Sequence, residues 1–406
     1  MHRERRNPLK NICLIADSYR PAIGGVEQWV HSIASNLSRD FTVTIITHAN
    51  AVSPLGFFLV KTDKERRDDA GNRLMTLSPS VTGRAWLVFL FFWYFPLARR
   101  FFPRRLYDGL YIFYKKAFDR KLRNLIAGSD IVHCFSTGYL AVCATEECLR
   151  ASIPLIHSPP AHFGKWGDTP LLLKSYAKAA AIMCLSQSFK TEFQKRMPLA
   201  RVPILVNPAP VSVSQNRKEP VVAIPRPYVL FLGRRERHKG LGLLLAAFQK
   251  IRLTASLVIA GPGDRVSTYD TRIIDCGTVD EATKNWLLDN CALFCVPSSD
   301  ESFGIVYAEA MAHAKPVAAL DIAPVNEIVI HGETGLLTNG EEDRLSEAIA
   351  ALLGDPERAR KMGENGYQRF CDVFEEKIVM KKTMGLYVSV LSPGAQDRCR
   401  ESRKAF

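Results

Sequence analysis

The chain has 406 residues, of which 47% are hydrophobic and 23% are charged. This length predicts two domains, and the apolar share is that of a globular protein rather than a disordered one. The formal net charge of +13 lies entirely in the first half, since residues 1–200 carry 28 Lys and Arg against 15 Asp and Glu. Ten cysteines without a Cys-x-x-Cys pair argue against a zinc site and indicate reduced thiols in the cytosol.

The first elements of the chain follow an alternating pattern. Residues 1–10 are charged and lack the apolar core of a secretory signal. The short apolar run Asn11–Ala16 then predicts a strand. After the glycine pair Gly24-Gly25, the apolar residues from Val26 to Leu37 recur at helical spacing. Phe41–Ile46 predicts the next strand.

A basic and aromatic region, residues 84–123, accounts for much of the positive charge. It holds ten basic residues against two acidic ones and includes the aromatic run Ala85–Ala98. This run is too short to span a bilayer, but its Trp and Tyr content and flanking arginines are typical of an element at the lipid headgroups. The pattern favours contact with an anionic membrane, and a buried core helix is the alternative. Because no nucleic-acid recognition helix or RNA-binding signature accompanies the charge, no nucleic-acid partner is expected.

Further strands and helices alternate along the rest of the chain. Short apolar runs predict strands at Ile131–Cys134, Pro154–His157, Ile182–Leu185, Tyr228–Leu232, Ser256–Ala260, Leu293–Val296 and Pro316–Leu320. This alternation predicts an α/β protein with two doubly wound, Rossmann-like domains that face each other across a cleft. The proline-rich stretch between the two groups of strands marks a linker. The predicted segments are a first domain 1–200, a linker 201–226, a second domain 227–372, a final helix 373–392 and a basic tail 393–406.

The loop Gly233–Gly240 follows the Tyr228–Leu232 strand and precedes a helix. A strand, a glycine, a cationic loop and a helix in this order commonly hold phosphate groups. Arg234 offers a planar fork and Lys239 a point charge, which together suit two neighbouring phosphates. Taken alone, the loop is better interpreted as a solvated basic surface, and it is its pairing with the segment that carries Glu301 and Glu309 that favours a phosphate site.

The segment from Ser299 to Ala312 carries two glutamates, Glu301 and Glu309, on either side of Phe303-Gly304. A helix is predicted to start inside this turn, and its free N–H groups and positive dipole attract a phosphate. Glu301 then lies beside a sugar attached to that phosphate, and Glu309 is placed to accept hydrogen bonds from ribose hydroxyls. The segment therefore predicts a nucleotide-sugar site.

In these motifs the chain resembles the retaining nucleotide-sugar glycosyltransferases of family 4, which have the GT-B fold. The resemblance covers most of the chain, and its pieces occur in the family's order. The matching pieces are Gly24-Gly25-Val26-Glu27, Gly233-Arg234, Lys239-Gly240, Ala260–Gly263, Pro297–Gly304, Glu309–Ala312 and Gly332–Leu337.

The resemblance implies roles for individual residues. Arg234 and Lys239 are expected to bind the donor diphosphate and to stabilise the leaving group, Glu301 to contact the donor sugar, and Glu309 to contact the ribose. The resemblance also implies that the helix 373–392 crosses back to the first domain. The remaining expected donor-binding residues are Gly24, Gly25, Gly263, Val279, Phe303, Gly304, Ile305 and Val306.

The family often carries a histidine near the reacting sugar, shortly after a strand that corresponds to Pro154–His157. Counted without a gap, that position is Pro160 in this chain. We select His162 as the candidate, because the Pro159-Pro160 turn can present it. His157, inside the apolar strand, is expected to be a core residue, and His133 and His313 are interpreted as structural.

The expected activity is metal-independent, because no Asp-x-Asp sequence is present to chelate a cation. No metal and no cofactor are expected. The resemblance implies a retaining hexosyltransferase, and the reduced thiols indicate the cytoplasm. The charged first half suggests the inner face of the plasma membrane and a lipid-linked or anionic glycan acceptor. An epimerase or phosphorylase on the same fold, or a non-catalytic nucleotide-sugar-binding protein, are the alternatives. The donor sugar, the base, the acceptor and the oligomeric state stay open.

Overall fold

The computed structural model describes residues 10–22, 24–48, 64–80, 82–87, 104–197 and 201–392. The predicted tail 393–406 and most of the run 85–98 lie outside these residues. The described chain forms two compact units. The first unit holds residues 10–185, Phe189–Asn207 and 380–392, and the second holds Ser186–Ser188 and Pro208–Val379.

Fourteen strands are named within the described residues, eight in the first sheet and six in the second. The first sheet contains β1 (Asn11–Ala16), β2 (Thr42–His48), β3 (Lys64–Arg67), β4 (Arg73–Leu77), β5 (Ile131–Cys134), β6 (Leu155–His157), β7 (Ala181–Cys184) and β8 (Ile204–Val206). The second contains β9 (Tyr228–Leu232), β10 (Ser256–Ala260), β11 (Ile273–Gly277), β12 (Leu293–Cys295), β13 (Val317–Leu320) and β14 (Gly335–Thr338).

Helices connect the strands in both units. In chain order they are α1 (Gly25–Leu37), α2 (Arg104–Ile126), α3 (Tyr139–Ala151), α4 (Pro170–Tyr176), α5 (Gln187–Arg196), α6 (Leu241–Gln249), α7 (Glu281–Asn290), α8 (Ile305–Ala312), α9 (Val325–Ile328), α10 (Glu342–Gly354), α11 (Pro356–Arg369) and α12 (Glu376–Leu391). None of the helices in the described part of the chain is both long enough and apolar enough to cross a bilayer.

The strand order of each sheet confirms the predicted doubly wound α/β architecture. The first sheet runs β3-β4-β2-β1-β5-β6-β7-β8 and the second runs β11-β10-β9-β12-β13-β14. All pairs are parallel except β3 with β4. The order reverses between β1 and β5 in the first sheet and between β9 and β12 in the second. Ligands of such sheets bind at these switch points, beyond the carboxyl ends of the strands.

Part of the predicted basic and aromatic region forms the core of the first unit. Helix α2 is amphipathic, and one of its faces is buried against the sheet. The buried side chains are Tyr111, Tyr114, Phe118, Leu122 and Ile126. Beside them, Trp86 is 37% exposed and Ile112 is 48% exposed. The Trp86 ring stacks on Phe113 at 5.7 Å and lies 4.0 Å from the Lys116 ammonium, so an aromatic and basic surface patch is present.

The predicted linker 201–226 contains β8, which pairs with β7, so its residues up to Asn207 belong to the first unit. Near its end, the chain passes from α11 through a π-helical turn, Phe370–Phe374, into α12. The Tyr387 hydroxyl of α12 lies 2.7 Å from Nδ1 of His133 in β5, so the end of α12 is held to the first sheet by a buried polar contact.

The buried histidines have structural partners, as expected for His133 and His157. The second ring nitrogen of His133, Nε2, lies 2.7 Å from the Ser158 hydroxyl, and Nε2 of His157 lies 2.8 Å from the Thr145 hydroxyl. Burial lowers the pKa of His133 and of His157 to about 3 and that of His48 to about 4. These imidazoles are therefore neutral in the folded protein at pH 7.

At the carboxyl edge of the second sheet, the loop after β9 is bonded to the loop after β12. The carbonyl oxygen of His238 accepts hydrogen bonds from the backbone N–H of Ser299 (2.8 Å) and from the Ser298 hydroxyl (3.0 Å). Gly240 ends the first loop with φ +75°, and a Cβ there would lie 2.0 Å from the Pro297 carbonyl oxygen. Glycine is therefore required at 240 by both its conformation and the close approach.

We expect the first unit to lose stability in mild acid. The histidines at 48, 133 and 157 take up protons near pH 6.5 when unfolded but resist protonation when folded, so stability is complete above pH 6.5 and falls as the pH drops towards 4. Each contributes a slope of about 1.4 kcal/mol per pH unit. Urea unfolding at pH 7, 6 and 5 measures this fall, and His157→Gln should make it shallower. A free energy of unfolding that does not change between pH 7 and pH 5 would contradict the neutral state of these three imidazoles.

Gly240→Ala is expected to destabilise the second unit. The left-handed conformation costs an L-residue about 1–2 kcal/mol, and the added methyl group also collides with Pro297. Gly242→Ala is the matched control, because a Cβ there meets nothing within 4 Å and alanine favours the helix by roughly 0.4–1 kcal/mol. Urea unfolding should shift in opposite directions for the two variants. Equal shifts would show that the loop contact has no effect on stability.

Candidate functional site

The most direct contact among the predicted site residues is an ion pair between Lys239 and Glu301. The Lys239 ammonium lies 2.7 Å and 2.9 Å from the two carboxylate oxygens of Glu301. Their side chains are 16% and 7% exposed, so the pair is largely withdrawn from water. Lys239 comes from the loop after β9 and Glu301 from the loop after β12, so the switch point of the sheet brings the two charges together.

The N-terminus of α8 lies in the same segment as Glu301. Gly304 precedes the helix with φ +96°, and no side chain caps it. A Cβ on Gly304 would lie 2.6 Å from the Tyr307 ring, whose hydroxyl donates to the Val296 carbonyl at 2.8 Å. The first N–H groups of the helix, at half-buried Ile305 and Val306, have no acceptor within the helix and carry its positive dipole. This end suits an anion.

A hydrophobic contact of Phe303 holds the segment from Ser299 to Ala312 in place. Its side chain is buried and contacts Phe374 edge to face, with 6.1 Å between the ring centroids. Phe374 belongs to the π-helical turn, and its carbonyl accepts a hydrogen bond from Val211 at 3.0 Å. The backbone around Gly304 is therefore fixed from within the second unit.

Glu309 is buried on α8 and forms an ion pair with Lys284 of α7 at 2.7 Å. The Lys284 ammonium also lies 2.8 Å from Glu281. Burial lowers the pKa of Lys284, but Glu309 and Glu281 raise it by more, and the net shift is upward. Lys284 therefore stays charged beside Glu309. Sequence reasoning missed Lys284, because nothing in its local pattern indicates a partner on another helix.

The two arginines after β9 have different environments. Arg234 is 54% exposed and pairs with Glu236 at 2.7 Å rather than with Glu301 or Glu309. Arg235 is buried, and its guanidinium makes two bonds to Asp275 of β11, at 2.6 Å and 2.5 Å. Burial raises the pKa of Asp275, but Arg235 and two backbone N–H groups outweigh it and lower the pKa overall. Arg235 is thus structural, and Arg234 is accessible.

Gly263 and Val279 lie beside this framework. Gly263 has φ +129°, and a Cβ there would come within 2.8 Å of the Arg235 Cβ, so the loop after β10 packs closely on Arg235. Val279 is half-buried between β11 and α7. Both follow strands of the second sheet at its carboxyl edge, and their contact with a nucleotide stays a prediction.

The predicted glycine pair, Gly24 and Gly25, belongs to the first unit. Gly24 precedes α1 in an extended conformation and Gly25 is the first residue of that helix. A Cβ on Gly24 would lie 2.3 Å from a carboxylate oxygen of Glu27, so this carboxylate lies over Gly24. The adjacent switch point carries Asp17, whose carboxylate accepts bonds from the Ser136 hydroxyl (2.6 Å) and the Thr137 N–H (3.2 Å). Burial raises the pKa of Asp17, a group that sequence reasoning missed.

His162 lies in a loop after β6, also in the first unit. Its backbone N–H and carbonyl pair with those of Trp166 at 3.0 Å and 2.9 Å. His162 is half-buried, and its ring contacts the Trp166 ring with centroids 4.7 Å apart. His313 is in the second unit, with Nδ1 2.5 Å from an Asp289 oxygen, as its structural interpretation requires.

A cavity of about 630 Å³ opens at the same edge of the second sheet. Its lining includes Arg235, Leu241 and Ser299 but none of the predicted site residues. It borders the start of α6, and its lining residues Gly240 and Ser299 lie within two residues of Lys239 and Glu301 in sequence.

Within the described ranges, one group of side chains has the composition of a metal site. It consists of His31, Asp68 and Asp69 in the first unit, with ligand atoms within 4.8 Å of one another. These atoms already have partners: the Tyr19 hydroxyl contacts His31 (2.9 Å) and Asp68 (2.8 Å), and Asp69 pairs with Arg20. The group contains no predicted site residue, and metal independence stays a prediction.

Comparison with known proteins agrees with this geometry. The family model described as "Glycosyltransferase Family 4" matches residues 23–215, and that described as "Glycosyl transferases group 1" matches residues 213–369. Together they cover residues 23–369, which include every predicted site residue and all the named strands except β1.

Two curated relatives illustrate the range of similar proteins. Over 191 residues the chain is 34% identical to an alpha-maltose-1-phosphate synthase from Mycolicibacterium smegmatis. The aligned region covers 42% of this chain and 49% of that protein. The chain thus spans about half the length of this relative. It is 29% identical over 283 residues to a GDP-mannose-dependent alpha-(1-6)-phosphatidylinositol monomannoside mannosyltransferase from Mycobacterium tuberculosis, covering 61% and 73% of the two chains.

Solved structures share the fold at lower identity. Sucrose-phosphate synthase from Thermosynechococcus elongatus matches with a TM-score of 0.71 and 19% identity, over 94% of this chain and 99% of that one. HepE from Anabaena in complex with UDP matches with a TM-score of 0.70 and 17% identity, over 93% and 100%. The GT-B fold expected from the sequence is confirmed. With both family models matched in order along the chain, the protein belongs to the family 4, group 1 glycosyltransferases.

Proposed function

We propose that this chain is a retaining glycosyltransferase that moves a sugar from a nucleoside-diphosphate donor to an acceptor without a metal ion. The observation that carries the proposal is the buried contact of Lys239 with Glu301, next to the uncapped N-terminus of α8. A cation, a helix end and a carboxylate are the groups needed to bind a sugar diphosphate. The retention of configuration rests on the family resemblance.

In the proposed reaction, negative charge develops on the diphosphate as its bond to the sugar breaks. Lys239 lies where it can share its charge between Glu301 and an incoming phosphate. Exposed Arg234 can exchange Glu236 for the same phosphate group, and the N–H groups of α8 supply fixed dipoles. Because Lys239 and the helix dipoles are held before the substrate arrives and only Arg234 has to change its partner, little reorganisation is needed in the transition state.

Glu301 is proposed to accept hydrogen bonds from the donor sugar, and Glu309 from the ribose hydroxyls. Lys284 fixes the direction of the Glu309 carboxylate. Gly263, Val279 and Phe303 to Val306 complete the proposed donor site in the second unit. Gly24, Gly25 and His162 are proposed as the first unit's contribution to the diphosphate and the reacting sugar.

The acceptor is proposed to be lipid-linked or anionic, at the inner face of the plasma membrane. One relative is named for a phosphatidylinositol monomannoside acceptor and a GDP-mannose donor. In this chain, the aromatic and basic patch of Trp86, Ile112, Phe113 and Lys116 combines an exposed indole with a cation. Such a combination suits the headgroup region of an anionic bilayer.

Arg234→Ala and Lys239→Ala are each expected to lower turnover at least a hundredfold, because losing one oriented charge costs about 2.7–4 kcal/mol in the transition state. Product release is measured with UDP-glucose, GDP-mannose and ADP-glucose as donors. A donor at a hundred times its Kd should also stabilise the protein by roughly 2.7 kcal/mol in a thermal shift assay. Lys250→Ala is the control, since Lys250 pairs with Glu342 and Asp343 at the surface.

Wild-type turnover in both variants would remove the diphosphate role. An epimerase would release free nucleotide without acceptor, and a phosphorylase would require inorganic phosphate. A purely binding protein would shift in the thermal assay yet form no product. These three outcomes identify the alternatives that the sequence leaves open.

The protein is expected to float with vesicles that contain anionic phospholipid at low ionic strength and to bind less at high salt, because the attraction is electrostatic. Lys116→Glu should weaken this binding, since it reverses the charge beside Trp86. Lys250→Glu, at the surface of the second unit, is the matched control. Flotation that is absent at low salt would contradict membrane association.

A further inference from the structure

The loop between β6 and α4, residues 162–168, holds an indole at the surface of the first unit. Trp166 is 46% exposed, although tryptophan is one of the side chains that gain most from burial. Among the described residues, this loop carries no other large hydrophobic side chain that is exposed to this degree. The exposed indole of Trp166 is therefore a distinctive feature of this loop.

The loop is rigidly built. Its two arms pair through the backbone of His162 and Trp166, and the Asp168 carboxylate accepts a bond from the Gly164 N–H at 2.6 Å. Gly164 and Gly167 have φ +82° and +87°. A Cβ on Gly167 would lie 2.5 Å from the Ala161 Cβ, so the backbone is closely packed there.

Phe163 anchors the loop to the core below. Its ring contacts the rings of Phe189 and Phe193, with centroid distances of 4.7 Å and 4.9 Å. The Arg196 guanidinium lies 4.5 Å from the Phe163 ring and 3.6 Å from the Asp168 carboxylate. Because these contacts hold Phe163 and Asp168, the loop cannot turn Trp166 inward without breaking them.

The Trp166 ring is itself held by His162. The two rings are inclined at 36° with centroids 4.7 Å apart. An indole oriented in advance loses little side-chain entropy when a ligand packs on it. Its electron-rich face attracts the weakly positive C–H groups of a pyranose ring, and the burial of apolar area adds to this attraction.

We propose that Trp166 is a stacking platform for a pyranose ring of the acceptor, oriented by His162. This inference rests on the proposed function, which supplies the sugar acceptor, and it adds a specificity-determining residue to it. The platform follows β6, at the carboxyl edge of the first sheet, which is where ligands of doubly wound sheets bind. Unlike the patch at Trp86, which includes exposed Ile112, the fully described loop 162–168 has no second exposed large hydrophobic side chain, which favours a sugar ring over a bilayer.

The test uses the full chain and three soluble probes, the p-nitrophenyl α-glycosides of mannose, glucose and galactose. Saturation-transfer NMR detects each glycoside in the bound state. We expect at least one glycoside to bind, with the protons of its pyranose ring closest to the protein. Trp166→Ala should weaken that binding roughly five- to tenfold, whereas Trp166→Phe retains a ring and most of the affinity. Tyr269→Ala is the control, because Tyr269 is a fully exposed aromatic residue of the second unit.

A separate measurement on each sample keeps the two proposals distinguishable. Nucleotide binding, followed by thermal shift with UDP and GDP, should be the same in all three variants and the wild type. If nucleotides bind but no glycoside does, or if Trp166→Ala leaves glycoside binding unchanged, the platform is wrong and the proposed function stands. If no nucleotide binds to the wild type, the proposed function fails. A loss of vesicle flotation in Trp166→Ala with unchanged glycoside binding would assign Trp166 to a membrane and overturn the platform.

Discussion

The contact of the Lys239 ammonium with the Glu301 carboxylate is the constraint around which the second unit is organised. Two opposite charges withdrawn from water are stable only when their geometry is good and their surroundings are fixed. The surroundings here are the backbone bonds from Ser298 and Ser299 to His238 and the close approach of Gly240 to Pro297. The reversal of strand order between β9 and β12 makes this approach possible, because it places the two loops side by side at one edge.

Much of this arrangement was predictable from the sequence. The runs Asn11–Ala16, Ile131–Cys134, Tyr228–Leu232 and Ser256–Ala260 have the strand bounds that the structure shows, because buried parallel strands are nearly continuous in apolar residues. The turn at Gly304 was also recognisable, since a glycine before a helix and between two glutamates leaves few other conformations. The chemistry of a site can therefore be predicted from the sequence where its residues lie within one continuous segment.

Features that depend on distant partners were not predictable. The edge strand Lys64–Arg67 is fully charged and has no apolar period, and the short strand Ile204–Val206 lies among prolines. Likewise, the sequence does not distinguish Arg234 from Arg235. Only the position of Asp275 on β11, forty residues later, makes one of them structural and leaves the other exposed. Side-chain roles of this kind follow from sheet order rather than from local pattern.

The link between Glu309 and Lys284 has an evolutionary consequence. The residue proposed to bind the ribose is held by a lysine on a different helix, so we expect natural variation at either position to be coupled to the other. A variant that loses the carboxylate or the ammonium alone would leave the other charge in the interior without this partner, so we expect the two positions to change together. Helix α7, which carries no motif of its own, thereby takes part in placing the residue proposed to bind the ribose.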